Sequence, residues 1–235
     1  MNGLIIFMGA SFRLGTQGTT NIGDPLSYDE QIKACNSHIE FIEKIINNYS
    51  LNSVSVFIST YNTQFNNNLL SIYNKYLIGY NFYNHFVGLN NLFHKSMNYI
   101  EDINKYSFIL YIRIDLFLKE YFINSFNPTR NVILYPTICW INDCKVGKDP
   151  RVNDMLLFIP KKYFNYIKNI IIGHDLWHIL IRDTQLTYDD MDTIINTYHD
   201  SDSYKDFNPL YYIVNRNKTN IFHSEGHIFD KYNFK

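Results

Sequence analysis

Residues 106–115 read Tyr-Ser-Phe-Ile-Leu-Tyr-Ile-Arg-Ile-Asp, an apolar, aromatic and β-branched run that ends in a cation and, two positions later, a carboxylate. A short continuous run of this kind is the pattern of a strand buried on both faces, as parallel sheets require. It delivers Arg113 and Asp115 at its carboxyl end. Immediately upstream, Leu89 to Asn104 carries Leu92, Ser96, Tyr99 and Ile103 at helical spacing, and Tyr80 to Val87 reads as a weak strand. Before these come a helix over 65–76 and a strand over Val54-Ser55-Val56-Phe57-Ile58-Ser59. From Tyr28 to Asn48, Ile32, Cys35, Ile39, Ile42 and Ile46 recur every three to four residues, which predicts an amphipathic helix. Ser27 is placed to cap it, with Glu30 at capping-box spacing. The chain opens on Gly3-Leu4-Ile5-Ile6-Phe7-Met8-Gly9, a second buried-strand pattern, which runs into a loop holding Gly15, Gly18 and Gly23. Strand and helix therefore alternate through the first 115 residues, which predicts an α/β sheet with strand 106–112 central and the helices from Tyr28 and Leu89 on its faces.

Downstream the pattern changes. A short segment over 119–124, a strand over Val132 to Tyr135, a loop over 137–153, a strand over Met155 to Ile159 and a helix over 161–172 predict that the sheet becomes mixed. The only plausible linker is 200–209, so the expectation is one domain over 1–235 with a C-terminal extension from about residue 184.

Composition narrows the function classes. With 235 residues, 46% hydrophobic and 18% charged, the chain has the balance of a folded globular protein. A net charge of −1 gives no global field to draw it to nucleic acid. No apolar run approaches the ~20 residues of a membrane helix and no basic segment precedes the first one, so neither a transmembrane segment nor a secretion signal is expected. Cys35, Cys139 and Cys144 are an odd set that suits a reducing compartment, hence a cytoplasmic setting. Thirty Asn and 32 Ile against 6 Arg reflect an AT-rich coding sequence rather than an activity.

In open α/β sheets, ligands sit beyond the carboxyl ends of the strands. Those ends deliver Ser11, Phe12 and Arg13 from the first strand, Ser59, Thr60 and Asn62 from the second, and Arg113 and Asp115 from the third; Arg151, Asn153 and Asp154 precede a later strand. Arginines suit phosphate oxygens, and carboxylates suit a divalent cation or ribose hydroxyls, so the set fits a nucleotide diphosphate. Gly9 to Gly18 matches neither the Walker A loop nor the dinucleotide fingerprint.

Tyr106 to Phe117 resembles the segment of GT-A fold glycosyltransferases in which a hydrophobic strand ends in Asp-x-Asp or its Arg-x-Asp variant, here Arg113-Ile114-Asp115. Val152-Asn153-Asp154-Met155-Leu156-Leu157-Phe158-Ile159-Pro160 resembles a later strand of small polysaccharide-type transferases from bacteria and large DNA viruses. Gly9 to Arg13, Gln31 to His38 and Val54 to Thr60 fit the same layout, over roughly residues 3–170. The resemblance implies a GT-A-like, Rossmann-type mixed sheet with flanking helices, its nucleotide-binding half over 1–117 and its acceptor half with the extension over 118–235. It also implies transfer of a sugar from a UDP- or GDP-sugar donor to a glycan or other hydroxyl acceptor, with a large DNA virus as a fitting source. Gly9, Ser11, Arg13, Thr60, Arg113 and Asp115 would then hold the donor, Trp140 and Asn153 the acceptor, and Asp154 would act as general base. A divalent cation, Mn2+ or Mg2+, would be held by Asp115 with His223 or His227. Arg113 replaces the first carboxylate of the motif and can meet the diphosphate charge itself.

Other readings of the same residues stay open. Arg113 and Asp115, alternate residues on one strand side, suit a structural ion pair, and Asp154 suits an Asx turn after Pro150. The rival functions are a non-catalytic carbohydrate-binding α/β protein using aromatic faces such as Tyr135 and Trp140, and a metal-dependent hydrolase using His174, Asp175 and His178. If Asp115 serves the donor alone, Asp115→Ala should remove binding and leave the melting temperature nearly unchanged.

Overall fold

The computed structural model describes residues 1–14, 21–118, 120–129, 156–164 and 211–213. At its centre is β1 (Asn2–Gly9), which is paired in parallel with β4 (Ser53–Tyr61) on one side and with β6 (Phe108–Arg113) on the other. With β5 (Leu77–Tyr83) outside β4 and β8 (Leu156–Pro160) antiparallel outside β6, the sheet order is β5-β4-β1-β6-β8. This is the expected mixed α/β sheet with flanking helices. The strand at 106–112 is interior, as expected, but the middle position belongs to β1.

Alternation along each strand sends one set of side chains to each face. Ile5, Phe7, Val56, Ile58, Leu110, Ile112 and Phe158 pack under α1 (Tyr28–Tyr49) and α2 (Asn66–Tyr73). Leu4, Ile6, Met8, Phe57, Ile109, Tyr111 and Leu157 pack with Leu92 and Phe93 of α3 (Leu89–Tyr99) on the other face. Burial on both faces explains why these strands read as continuous apolar runs.

The chain runs outward from β1 to β4 and β5, then crosses back through α3 to enter β6 on the opposite side of β1. Strand order thus reverses between β1 and β6. A crevice opens beyond the carboxyl ends of strands at such a point. Two short antiparallel pairs lie apart from this sheet: β2 (Arg13–Leu14) pairs with β3 (Asn21–Ile22), and β7 (Leu116–Leu118) with β9 (Tyr211–Ile213). Between β7 and β8 lies the short α4 (Glu120–Ser125).

Several local expectations are corrected. Ser27 does not cap α1 through its side chain; its hydroxyl donates to Asp24 O at 2.7 Å, and Asp24 caps the preceding 3-10 turn instead. The buried face of α1 is formed by Gln31, Ala34, Cys35, Ser37, His38, Phe41, Ile42 and Ile45, with Ile32, Ile39 and Ile46 along its margin. The apolar spacing alone set the face too far round, because polar residues with partners of their own share the interior. The weak strand is displaced to Leu77–Tyr83 from 80–87, where Gly88 at φ +73° begins α3. α3 stops at Tyr99, and Ile103–Lys105 form a separate 3-10 turn. The strand expected over 132–135, the loop over 137–153, the helix beyond 164 and the linker over 200–209 lie outside the described residues.

The buried polar residues of α1 are all bonded. His38 stacks on Phe7 with ring centroids 4.4 Å apart, and its Nε2 and Nδ1 lie 2.6 Å from Leu116 O and from Tyr73 Oη respectively. A carbonyl only accepts, so Nε2 carries the proton and the Tyr73 hydroxyl donates to Nδ1. Burial depresses the imidazole pKa to about 3, against smaller upward pulls from Leu116 O and Asp115. The folded value lies below the unfolded ~6.5, so the unfolded chain takes up a proton that the folded chain refuses. The resulting stability is full above about pH 6.5 and is lost as pH falls toward 3. The expected outcome is that, between pH 6 and 5, the folding constant of the parent falls more steeply than that of His38→Gln, by an extra factor approaching tenfold per pH unit. Urea unfolding across that range measures it.

Candidate functional site

Three carboxyl-terminal strand ends converge on the crevice. β1 ends at Gly9, whose φ of +107° lies in the region that glycine alone enters without strain, and a Cβ there would sit 3.2 Å from Cγ of Arg113. The glycine turns the chain out of the sheet and leaves room for the aliphatic stem of Arg113. At the end of β4, the Thr60 hydroxyl donates to Gly9 O at 2.6 Å, accepts from Ser11 N at 3.2 Å and shares a hydrogen bond of 3.1 Å with Ser11 Oγ. Ser11 and Thr60 are both fully buried, so one threonine fixes the first turn after β1.

Phe12 follows in a left-handed conformation, φ +49°, uncommon for a bulky residue and costing roughly 1–2 kcal/mol. It is held on every side. Its ring is buried against Tyr28 and Phe65, its carbonyl accepts from Gly23 N at 2.8 Å and Asp24 N at 3.0 Å, and its N–H donates to Gln31 Oε1 at 3.0 Å. This turn sends Arg13 back across the crevice.

The charged residues meet there. Arg113 Nε donates to Asp115 Oδ1 at 2.7 Å and Arg113 Nη2 to Asp115 Oδ2 at 2.6 Å, a fork-on-fork pair within one strand end. Arg13 Nε lies 2.7 Å from Asp115 Oδ2. Asp115 is 1% exposed and Arg113 6%, so the cluster sits in a low-dielectric environment where charge contacts are strong and desolvation is costly.

Gly9, Ser11, Arg13, Thr60, Arg113 and Asp115, the six residues expected to bind a donor, are thus brought into one place. The ion pair offered as an alternative for Arg113 and Asp115 is present. Trp140, Asn153, Asp154, His223 and His227 lie outside the described residues, as do Arg151, His174, Asp175 and His178. Gln31 was not picked out as a site residue in the sequence, although a glutamine at the 31, 35, 38 spacing of a buried helix face is a signal that it has an internal partner.

The expected cation role of Asp115 does not fit its surroundings. Both carboxylate oxygens already accept from or ion-pair with guanidinium groups, and a cation would have to displace like charges from them. Among the described residues no group of three or more His, Cys, Asp or Glu is disposed to hold a metal ion.

Removing Asp115 leaves guanidinium groups stripped of a buried counter-ion. Asp115→Ala is therefore expected to destabilise the fold by about 3–5 kcal/mol, in place of the unchanged melting temperature expected from the sequence. Chemical denaturation measures this.

No family model matches the chain, and no curated protein matches it in sequence. Among solved structures, it is similar to a Drosophila β-1,4-galactosyltransferase 7 complex with manganese, UDP-Gal and xylobiose, at 12% identity and a TM-score of 0.39, over 80% of this chain and 63% of that one. The chain therefore spans less than two thirds of that enzyme's length. It is also similar to the glycosyltransferase GlyE of Streptococcus pneumoniae TIGR4, at 13% identity and a TM-score of 0.36 over 84% of this chain and 43% of that one. The galactosyltransferase LgtC with donor and acceptor sugar analogs matches at 11% identity and a TM-score of 0.37, over 84% of this chain and 70% of that one. These three solved structures are glycosyltransferases.

Proposed function

We propose that the chain is a nucleotide-sugar-dependent glycosyltransferase whose donor diphosphate is held by Arg13 and Arg113. The observation that carries this reading is the convergence of two arginines from separate strand ends on the switch point between β1 and β6, framed by Gly9, Ser11 and Thr60. Departure of a nucleoside diphosphate develops negative charge on phosphate oxygens, and fixed guanidinium donors in a dry site stabilise it without reorganising. In this reading Asp115 keeps both arginines in register, and no step is routed through a metal ion.

The acceptor hydroxyl needs a base, and Asp154 is the candidate. What supports it is its place in the sequence, two residues before β8, whose first residue Leu156 pairs with Ile112, the neighbour of Arg113. A carboxylate there takes the acceptor proton as the sugar is transferred, with Trp140 and Asn153 on the acceptor side.

Thermal shift with UDP- and GDP-sugars, with and without manganese, tests the donor half. At a ligand concentration of about 100 Kd the expected rise in melting temperature is about 5–10 °C, for one nucleotide only and in either metal condition. No rise with any nucleotide sugar would overturn the proposal. Binding without transfer to any glycan acceptor would favour the carbohydrate-binding alternative. Asp154→Asn should keep donor affinity and lower transfer about 10²-fold or more; transfer at the parent rate would make Asp154 a turn residue.

A further inference from the structure

We propose that Gln31 is a positioning residue of the donor site, a single buried amide that fixes both chain segments from which the charged cluster is built. The inference rests on the donor-site reading above and extends it to a residue on α1 that reaches no ligand itself.

Gln31 is 1% exposed in the first turn of α1. Its Oε1 accepts from Phe12 N at 3.0 Å, one residue before Arg13, and its Nε2 donates to Ile114 O at 2.7 Å, between Arg113 and Asp115. Nε2 also lies 3.6 Å from Cys35 Sγ. The two segments are 83 and 19 residues from it in sequence, and the amide ties both to one rigid helix. Its two principal bonds are complementary: an N–H needs an acceptor, a carbonyl needs a donor, and only an amide of this length supplies both at one point.

Phe12 sits in a costly left-handed conformation, and its N–H is bonded by this side chain. The backbone of Ile114 continues the ladder on one side, with Ile114 N donating to Met8 O at 2.7 Å, while its carbonyl turns to Gln31. Without Gln31, a buried donor and a buried acceptor lose these bonds together, which favours relaxation of both segments over retention of their geometry. Arg13 and Arg113 would then meet a diphosphate from displaced positions, and displacements of about 1 Å in such sites cost up to about 10²-fold.

The test compares the full-length parent with Gln31→Leu, Gln31→Asn and Ser37→Ala, by calorimetric titration with UDP and GDP and by hydrogen exchange of segments 11–14 and 113–116. Ser37 is the control: it is buried on the same helix but holds Leu118 N, at 3.0 Å, away from the cluster. Gln31→Leu should weaken the nucleotide that the parent binds at least tenfold and speed exchange in both segments, whereas Ser37→Ala should keep affinity within twofold even where its melting temperature falls as far. Should the leucine variant not fold, Gln31→Asn keeps the amide but is too short to span both partners, and should lose at least fivefold in affinity. Parent-like affinity in a folded Gln31 variant, or an equal loss in Ser37→Ala, would overturn the positioning role. If the parent binds neither nucleotide, the donor reading falls, and exchange alone decides: faster exchange confined to the two segments supports Gln31 as their anchor, and unchanged exchange overturns it.

Discussion

β1 is hydrogen-bonded to a parallel neighbour on each side and buried on both faces, so its only unconstrained points are its ends. Parallel pairing on both sides cannot be made with tight turns; each neighbour must be reached by a crossover that carries a helix over a face of the sheet. α1 takes the chain to β4 on one side, and α3 returns it to β6 on the other. The crevice between the ends of β1 and β6 follows from that reversal. Beyond the last ladder bond, from Ile114 N to Met8 O, the backbone leaves the sheet, and the groups placed on it are the ones that can face a ligand.

The charged cluster past the strand ends carries a cost, since arginines and a carboxylate are withdrawn from water. Mutual pairing offsets this, with Asp115 serving both guanidinium groups. The surrounding polar side chains continue the same logic inward: Thr60 satisfies Gly9 and Ser11, Gln31 satisfies Phe12 and Ile114, and Ser37 and His38 satisfy Leu118 and Leu116. The segment from Ile114 to Leu118 thereby runs along α1 on hydrogen bonds rather than on apolar contact alone.

The strands were legible because two-sided burial writes itself as uninterrupted apolar sequence, as in Leu4 to Met8 and Phe108 to Ile112. The meeting of Gly9, Ser11, Arg13, Thr60, Arg113 and Asp115 at one end of the sheet was legible for a related reason: polar residues directly after such runs have few places to go except the sheet rim. The face of α1 was misjudged because periodicity counts polar residues as outward, and Gln31, Ser37 and His38 point inward to partners distant in sequence. The pairing of Asp115 with both arginines was illegible as well. Arg113 and Asp115 are alternate residues straddling one strand end and announce themselves, but the return of Arg13 depends on the left-handed turn at Phe12, which no local signal requires of a phenylalanine.

Greasy helix faces can slide along a sheet by a turn and bury nearly the same area, whereas hydrogen bonds index one element against another. The relay from Tyr73 on α2, through His38 on α1, to the carbonyl of Leu116 has a single proton direction and works at one registration of the three segments. A slip of either helix would strand a donor or an acceptor in the dry interior. The core of this protein is thus notched as well as filled, and the notch lies one element away from the crevice, where an error of alignment would be felt most.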